Sequence, residues 1–131
     1  MPELTIRSSN RVEMIEITSQ ISRVVAESGV KDGTAILFVP HTTAAITINE
    51  NADPDVARDM IYGLNKLIPR QDNYRHAEGN SPAHIKSSLI GASETILIQG
   101  GAPRLGTWQG IYFCEFDGPR TRKLHIKLMS G

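Results

Sequence analysis

The sequence predicts an α+β fold with a largely antiparallel sheet, and three observations carry that expectation. Segments of strand character come in pairs near the start and as a group of three at the end. Helical stripes lie between them, which makes the order ββαββααβββ, and strands on short links pair mostly with their sequence neighbours. Size is the third: 131 residues, 40% hydrophobic and 21% charged, make one domain, 1–131, that buries a core without staples.

At the N-terminus Leu4 and Ile6 alternate with Thr5 and Arg7, which reads as a strand, and Ser9-Asn10 turns the chain. Met14–Ile17 is a second strand. Thr18 caps a helix whose apolar stripe is Ile17, Ile21, Val24 and Val25, with Gly29 as its stop. The continuous run Ala35–Val39 is a central strand ended by Pro40. Residues 44–50 alternate again, with Ala44, Ile46, Ile48 and Glu50 on one face and Ala45, Thr47 and Asn49 on the other.

Asp53-Pro54 is a capping acid followed by proline at the first helical position. The stripe of this second helix is Val56, Met60, Leu64 and Leu67, with Ile61 beside them, and Pro69 closes it. Ser81-Pro82 repeats the start signal for a short helix that packs through Ile85, Leu89 and Ile90 and ends at Gly91. Thr95–Gln99, Ile111–Phe116 and Arg122–Met129 are the remaining strands. Between Pro69 and Thr95 only that short helix is regular, which marks the stretch as functional.

Composition removes several classes of function. Fourteen basic and fourteen acidic residues cancel, so the chain lacks the basic field of a general nucleic-acid binder. A single cysteine leaves no disulfide framework and no Cys-rich zinc site. No apolar run approaches the ~20 residues of a membrane span, and the start, Met-Pro-Glu-Leu-Thr, has no secretory character. The expectation is a cytoplasmic domain with a small-molecule ligand and neither nucleic acid nor membrane as partner.

The candidate chemistry starts with histidine. His41 follows Pro40 in the loop leaving the buried strand, and His76 lies in the polar loop Asn73–His76. His84 sits in the first turn of the Ser81 helix, where the macrodipole favours a neutral imidazole. Such rings suit metal ligation or proton transfer, though their spacing matches no metal motif, and three unrelated loop histidines are the alternative. His125 alternates with Lys123 and Lys127 and reads as solvated or interfacial.

Acidic and basic groups cluster elsewhere. Glu50 shares a face with Ile46 and Ile48 at the margin of the core, where a carboxylate becomes a candidate acid, base or ligand. Its alternative is a side chain swung out to solvent. Glu115 and Asp117 share the face of Ile111 and Phe113, while Arg120 and Arg122 begin the face of Leu124 and Ile126. These groups either bind a charged ligand or form cross-strand ion pairs. Cys114, on the opposite face, reads as a packed small hydrophobe. Asp55 and Asp59 stand one helical turn apart beside Arg58 and read as a solvated face. The glycine-rich run Gly100–Gly106 carries Arg104 and leads into Thr107-Trp108-Gln109-Gly110, a loop able to offer amides to an anion and an indole to a planar ring.

Several of these segments together resemble a known family. Pro40–Ala45 with Ile48–Asn51, Ser87–Gly91, Leu105–Ile111 and Phe116–Arg120 are similar, in that order, to the motifs of the YjbQ-like family, also called UPF0047 or the secondary thiamine-phosphate synthase family. The resemblance covers the chain from about residue 5 to its end. It implies a two-layer α/β fold of order ββαββααβββ assembled as a homotrimer. It also implies thiamine-phosphate-synthase-like activity, as a main or side reaction: hydroxymethylpyrimidine diphosphate coupled to thiazole phosphate, with release of pyrophosphate. On that reading His41, His76 and His84 hold a divalent metal, zinc or magnesium, and His41, His84 and Glu50 are catalytic. Arg104, Trp108, Gln109 and Arg120 bind substrate. The alternatives are a metal-dependent hydrolase or deaminase of a small heterocycle and a non-catalytic ligand-binding trimer.

Overall fold

The computed structural model describes residues 1–131, in the order β1 (Glu3–Arg7), β2 (Glu13–Glu16), α1 (Thr18–Ser28), β3 (Gly33–Phe38), β4 (Ala44–Glu50), α2 (Pro54–Leu67), α3 (Ser81–Ile90), β5 (Ser93–Gln99), β6 (Ala102–Pro103), β7 (Gln109–Glu115) and β8 (Thr121–Ser130). The α+β class and the antiparallel pairing are as the sequence predicts. The strands, however, divide between two sheets, ordered β1-β8-β3-β5-β6 and β2-β7-β4. Pairing with sequence neighbours, expected from the short links, holds only for β5 with the two-residue β6. β7 pairs instead with β2 and β4, and β8 with β1 and β3.

The reason lies in three links. Residues 8–12, 39–43 and 117–120 each carry the chain from the five-stranded sheet to the three-stranded one or back, and all three do so at the same end of the molecule. Their crossing lets the two sheets face each other. Ala35, Leu37, Ile96, Ile98, Leu124 and Ile126 pack from one sheet against Ile46, Ile111 and Phe113 from the other, with Ile17, Ile21 and Val25 of α1 completing the core. The stripe read for α1 is therefore correct. Thr18 does not cap it: its hydroxyl accepts from the Ile111 N–H at 2.9 Å and donates to Glu16, tying the helix to β7.

On its outer face the three-stranded sheet carries Ala45, Tyr112, Cys114 and Phe116, covered by Ala83 of α3 and by Ala57 and Leu64 of α2. Asp53 caps α2 as expected, its carboxylate accepting from the Asp55 N–H at 2.9 Å. The two covering helices lie shallower than their stripes predict. No residue of α2 is fully buried and Leu67 is exposed, while α3 turns Ala83, Lys86 and Ser87 inward and leaves Ile85 and Leu89 outside. An apolar residue is buried only where a sheet face meets it, and the small outer face of three strands cannot reach both helices fully.

Close packing at the crossing end has a mutational consequence. A Cβ on Gly118 would lie 2.3 Å from the Asn10 carbonyl oxygen and 2.8 Å from Glu115 Cγ. Gly118→Ala is expected to lower stability by roughly 1–3 kcal/mol through overpacking, read as a shift of the urea midpoint. Gly63→Ala, which meets nothing within 4 Å, is the control.

Candidate functional site

A buried ion pair holds the crossing end together. Glu115 and Arg122 are 0% and 3% exposed at their side chains. Glu115 accepts from Arg122 Nε at 2.9 Å, from Ser8 Oγ at 2.7 Å and from the Asp117 N–H at 3.0 Å. Arg122 also donates to Thr43 Oγ1 at 2.8 Å and to the Thr43 carbonyl at 3.1 Å. One pair thus ties all three crossing links, through Ser8, Thr43 and Asp117. Burial opposes ionisation of Glu115, but the hydrogen bonds from Arg122, Ser8 and Asp117 outweigh it and lower its pKa below the ordinary value. Both residues form an ion pair, the structural one of the two readings open to them, but the pair joins the two sheets rather than neighbouring strands of one hairpin.

Above this pair the links enclose a polar cavity of about 730 Å³ with no apolar side chain in its lining. Arg11, Arg70 and Arg120 supply guanidiniums, His76 and His84 imidazoles, and Glu78 and Asp117 carboxylates. Arg120 is held by Asp117, donating to its carbonyl at 2.9 Å and its carboxylate at 3.1 Å. Asp117 also accepts from Asn80 Nδ2 at 3.0 Å, which draws the start of α3 onto the turn before β8. The oxygen of that amide, Asn80 Oδ1, is buried without a partner. Arg11 and Arg70 take part in none of the salt bridges of the chain. With three guanidiniums against two carboxylates, the cavity favours an anion.

His84 is where neighbouring spaces meet. Its ring stands edge-on to that of His76, with centroids 5.5 Å apart. Together with Tyr74 and Ile85 the two rings line a smaller, less polar recess of about 390 Å³. On the other side His84 and His41 face a third space, between α3 and the 39–43 link. His41 is committed already: the Lys123 N–H donates to its Nε2 at 2.9 Å. That bond uses the lone pair a proton or a metal would need. Burial, and then the charge of Arg122, lower its pKa below the ordinary imidazole value.

The three histidines expected to share an ion therefore do not form a ligand set within one chain. His76 and His84 meet, His41 spends Nε2 on a backbone amide, and no group of three or more His, Cys, Asp or Glu side chains has metal-holding geometry.

The remaining expected site residues lie elsewhere. β4 runs from Ala44 at the crossing end to Glu50, about 20 Å away at roughly 3.4 Å per residue. Glu50 pairs with Gln109 there, and Trp108, a residue 63% exposed, precedes Gln109. The Gln109 side chain closes its own turn, accepting from the Gly106 N–H at 2.8 Å. Arg104 follows the edge strand β6 and bonds Gln99. Glu50, Arg104, Trp108 and Gln109 thus stand apart from the cavity that holds His76, His84 and Arg120. Arg11 and Arg70 escaped notice in the sequence because neither belongs to a motif; the signal available was their position at the edges of irregular segments.

Other readings hold. His125 is on the outer face of its sheet, 3.3 Å from Glu3. Arg58 pairs with Asp55 on an exposed helix face. Burial pushes the Cys114 thiol up to about 12, which leaves it inert. No helix is long and apolar enough to cross a membrane.

Comparison with known proteins gives the same result at every level. The model of the family described as "UPF0047 protein YjbQ-like" matches residues 2–131. A UPF0047 protein of Methanocaldococcus jannaschii is 57% identical over 124 residues, covering 95% of this chain and 90% of its own. The UPF0047 protein YugU of Bacillus subtilis is 52% identical, with 96% of each chain covered. Among solved structures, a YjbQ/UPF0047 protein from Clostridium acetobutylicum superposes with a TM-score of 0.96 at 55% identity, covering 98% of this chain and 100% of that one. A protein of unknown function from Sulfolobus solfataricus superposes at 0.94 with 28% identity, covering 99% and 96%. The fold, the whole length and the sequence agree: this chain belongs to the YjbQ-like UPF0047 family.

Proposed function

We propose that the protein is a small-molecule enzyme that binds a phosphate-bearing substrate at the crossing end, with thiamine-phosphate-synthase-like coupling as the reaction. The observation that carries the reading is the polar cavity whose cations outnumber its carboxylates, Arg11, Arg70 and Arg120 beside His76 and His84. In this reaction the thiazole nitrogen uses its lone pair to bond the pyrimidinylmethyl carbon as the carbon–oxygen bond to diphosphate breaks. The electron pair leaves on the diphosphate. The attacking nitrogen carries no proton, so no general base is required, and Glu50 is not needed near the reacting atoms. What the step needs is stabilised charge on the leaving group.

Guanidiniums supply that charge and hold phosphate oxygens in fixed forks. Asp117 positions Arg120 for this role. His76 and His84 stand between the polar cavity and the recess of Tyr74 and Ile85, which gives a heterocycle an apolar wall next to its phosphate. A homotrimer is part of the proposal. Ile85 and Leu89 are 44% and 58% exposed on α3 beside the site, and a second copy would cover them. Light scattering at micromolar concentration is expected to return a trimer.

The test of function is release of pyrophosphate from hydroxymethylpyrimidine diphosphate and thiazole phosphate by purified protein. Arg120→Ala is expected to lower kcat/KM by at least roughly tenfold, the loss of one charge-assisted contact. No release above the rate of the heat-treated protein would remove the coupling reaction.

A further inference from the structure

One charged side chain in the covering layer has no counter-charge. Lys86 is only 4% exposed, turned inward from α3, and its ammonium bonds the neutral amide oxygen of Asn65 on α2. It belongs to no salt bridge. A buried ammonium with a single neutral partner is unfavourable unless an anion arrives. Burial, and then the nearby Arg11, lower its pKa below the ordinary lysine value, as expected of a cation among cations.

The surroundings are built in the same sense. Lys86 lines a cavity of about 330 Å³ between α2 and α3, together with Arg11 and Arg70 and with no acidic residue. Arg11 and Arg70 also line the 730 Å³ cavity, so the two spaces share a cationic wall. We propose that Lys86, Arg11 and Arg70 form a second anion subsite behind the main cavity, which takes one phosphate group of a diphosphate whose other group lies beside Arg120. This inference rests on the phosphate-binding reading of the main cavity and adds Lys86 to it. The competing role for Lys86 is structural: Asn65 is in the last turn of α2, where an ammonium also meets the negative end of the helix dipole.

Calorimetric titration of the full chain with inorganic phosphate and with pyrophosphate separates these roles. Wild type is expected to bind pyrophosphate at least about tenfold more tightly than phosphate. Lys86→Met should abolish that preference, leave phosphate affinity unchanged, and melt no lower than wild type without ligand. Pyrophosphate affinity unchanged in Lys86→Met overturns the subsite, as does a wild type with no preference between the two ions. Should Lys86→Met not fold, Arg70→Gln, at an exposed position, is expected to weaken pyrophosphate more than phosphate, and equal weakening overturns the subsite. Phosphate binding without preference defeats this inference alone; binding of neither ion defeats the main-cavity reading with it.

Discussion

Glu115→Ala is expected to lower stability by about 3–5 kcal/mol, because it leaves the Arg122 guanidinium buried and uncompensated. The loss should exceed the sum of the contacts removed. Ser8, Thr43 and the Asp117 amide all lean on the same pair, so three crossing links loosen at once. Guanidinium unfolding followed by circular dichroism reads the effect. The double change Glu115→Leu with Arg122→Met should be milder than Glu115→Ala alone, since it removes both buried charges. A loss under about 1 kcal/mol for Glu115→Ala, the size of an exposed pair, would show that the pair does not organise the crossing.

The same groups set a pH dependence of definite sign. Glu115 has a lowered pKa in the fold, so its contribution is present above its unfolded value and is lost as pH falls through the folded one. His41 also has a lowered pKa, so the folded state holds the neutral ring while the unfolded chain takes up the proton first. Stability from His41 is therefore complete above its ordinary value and declines as pH falls below it. Both groups act in one direction. Melting temperature is expected to drop on acidification, beginning at the histidine and steepening at the carboxylate, and His41→Gln should remove the earlier part.

His84→Ala is expected to reduce turnover by roughly 10²–10³, the range for loss of a hydrogen-bond donor to developing charge, while the fold is kept. The ring is only half-buried and lines the polar cavity, the recess beside Tyr74 and the space facing His41. Removing it opens three spaces into one and takes away an N–H donor from the leaving group. His125→Ala should leave turnover unchanged, because His125 is on the outer face beside Glu3. Pyrophosphate release and thermal melts of both variants decide the matter. Equal damage from the two would put the site on the wrong sheet.

Much of this protein was legible from residue order. Alternation placed Ala44 and Ile46 on the core face of β4 and Ala45 on the other, and both assignments hold because a strand obeys a period of two wherever it pairs. Asp53-Pro54 and Gly29 marked helix ends through local chemistry. The motif order identified the family. Partners were not legible. Links as short as 39–43 look like hairpins, yet they pass between sheets, since only two facing sheets can bury both Leu37 and Phe113.

The candidate site divides the same way. His76 in its polar loop, His84 in a first helical turn and Arg120 in the turn before the last strand stand out in the sequence, and the fold brings them together with Arg11 and Arg70. Glu50 and Trp108 carry equally suggestive chemistry, but the length of β4 sets them at the far end of the sheet. Sequence alone determined most of the strands and their faces, the buried stripe of α1 and the family, because these depend on local periodicity and on motif order, whereas the inward face of α3 was set by the sheet it covers. Tertiary structure alone decided which loops meet, and with them that Lys86 is buried without a counter-charge, because convergence depends on strand pairings between residues tens of positions apart.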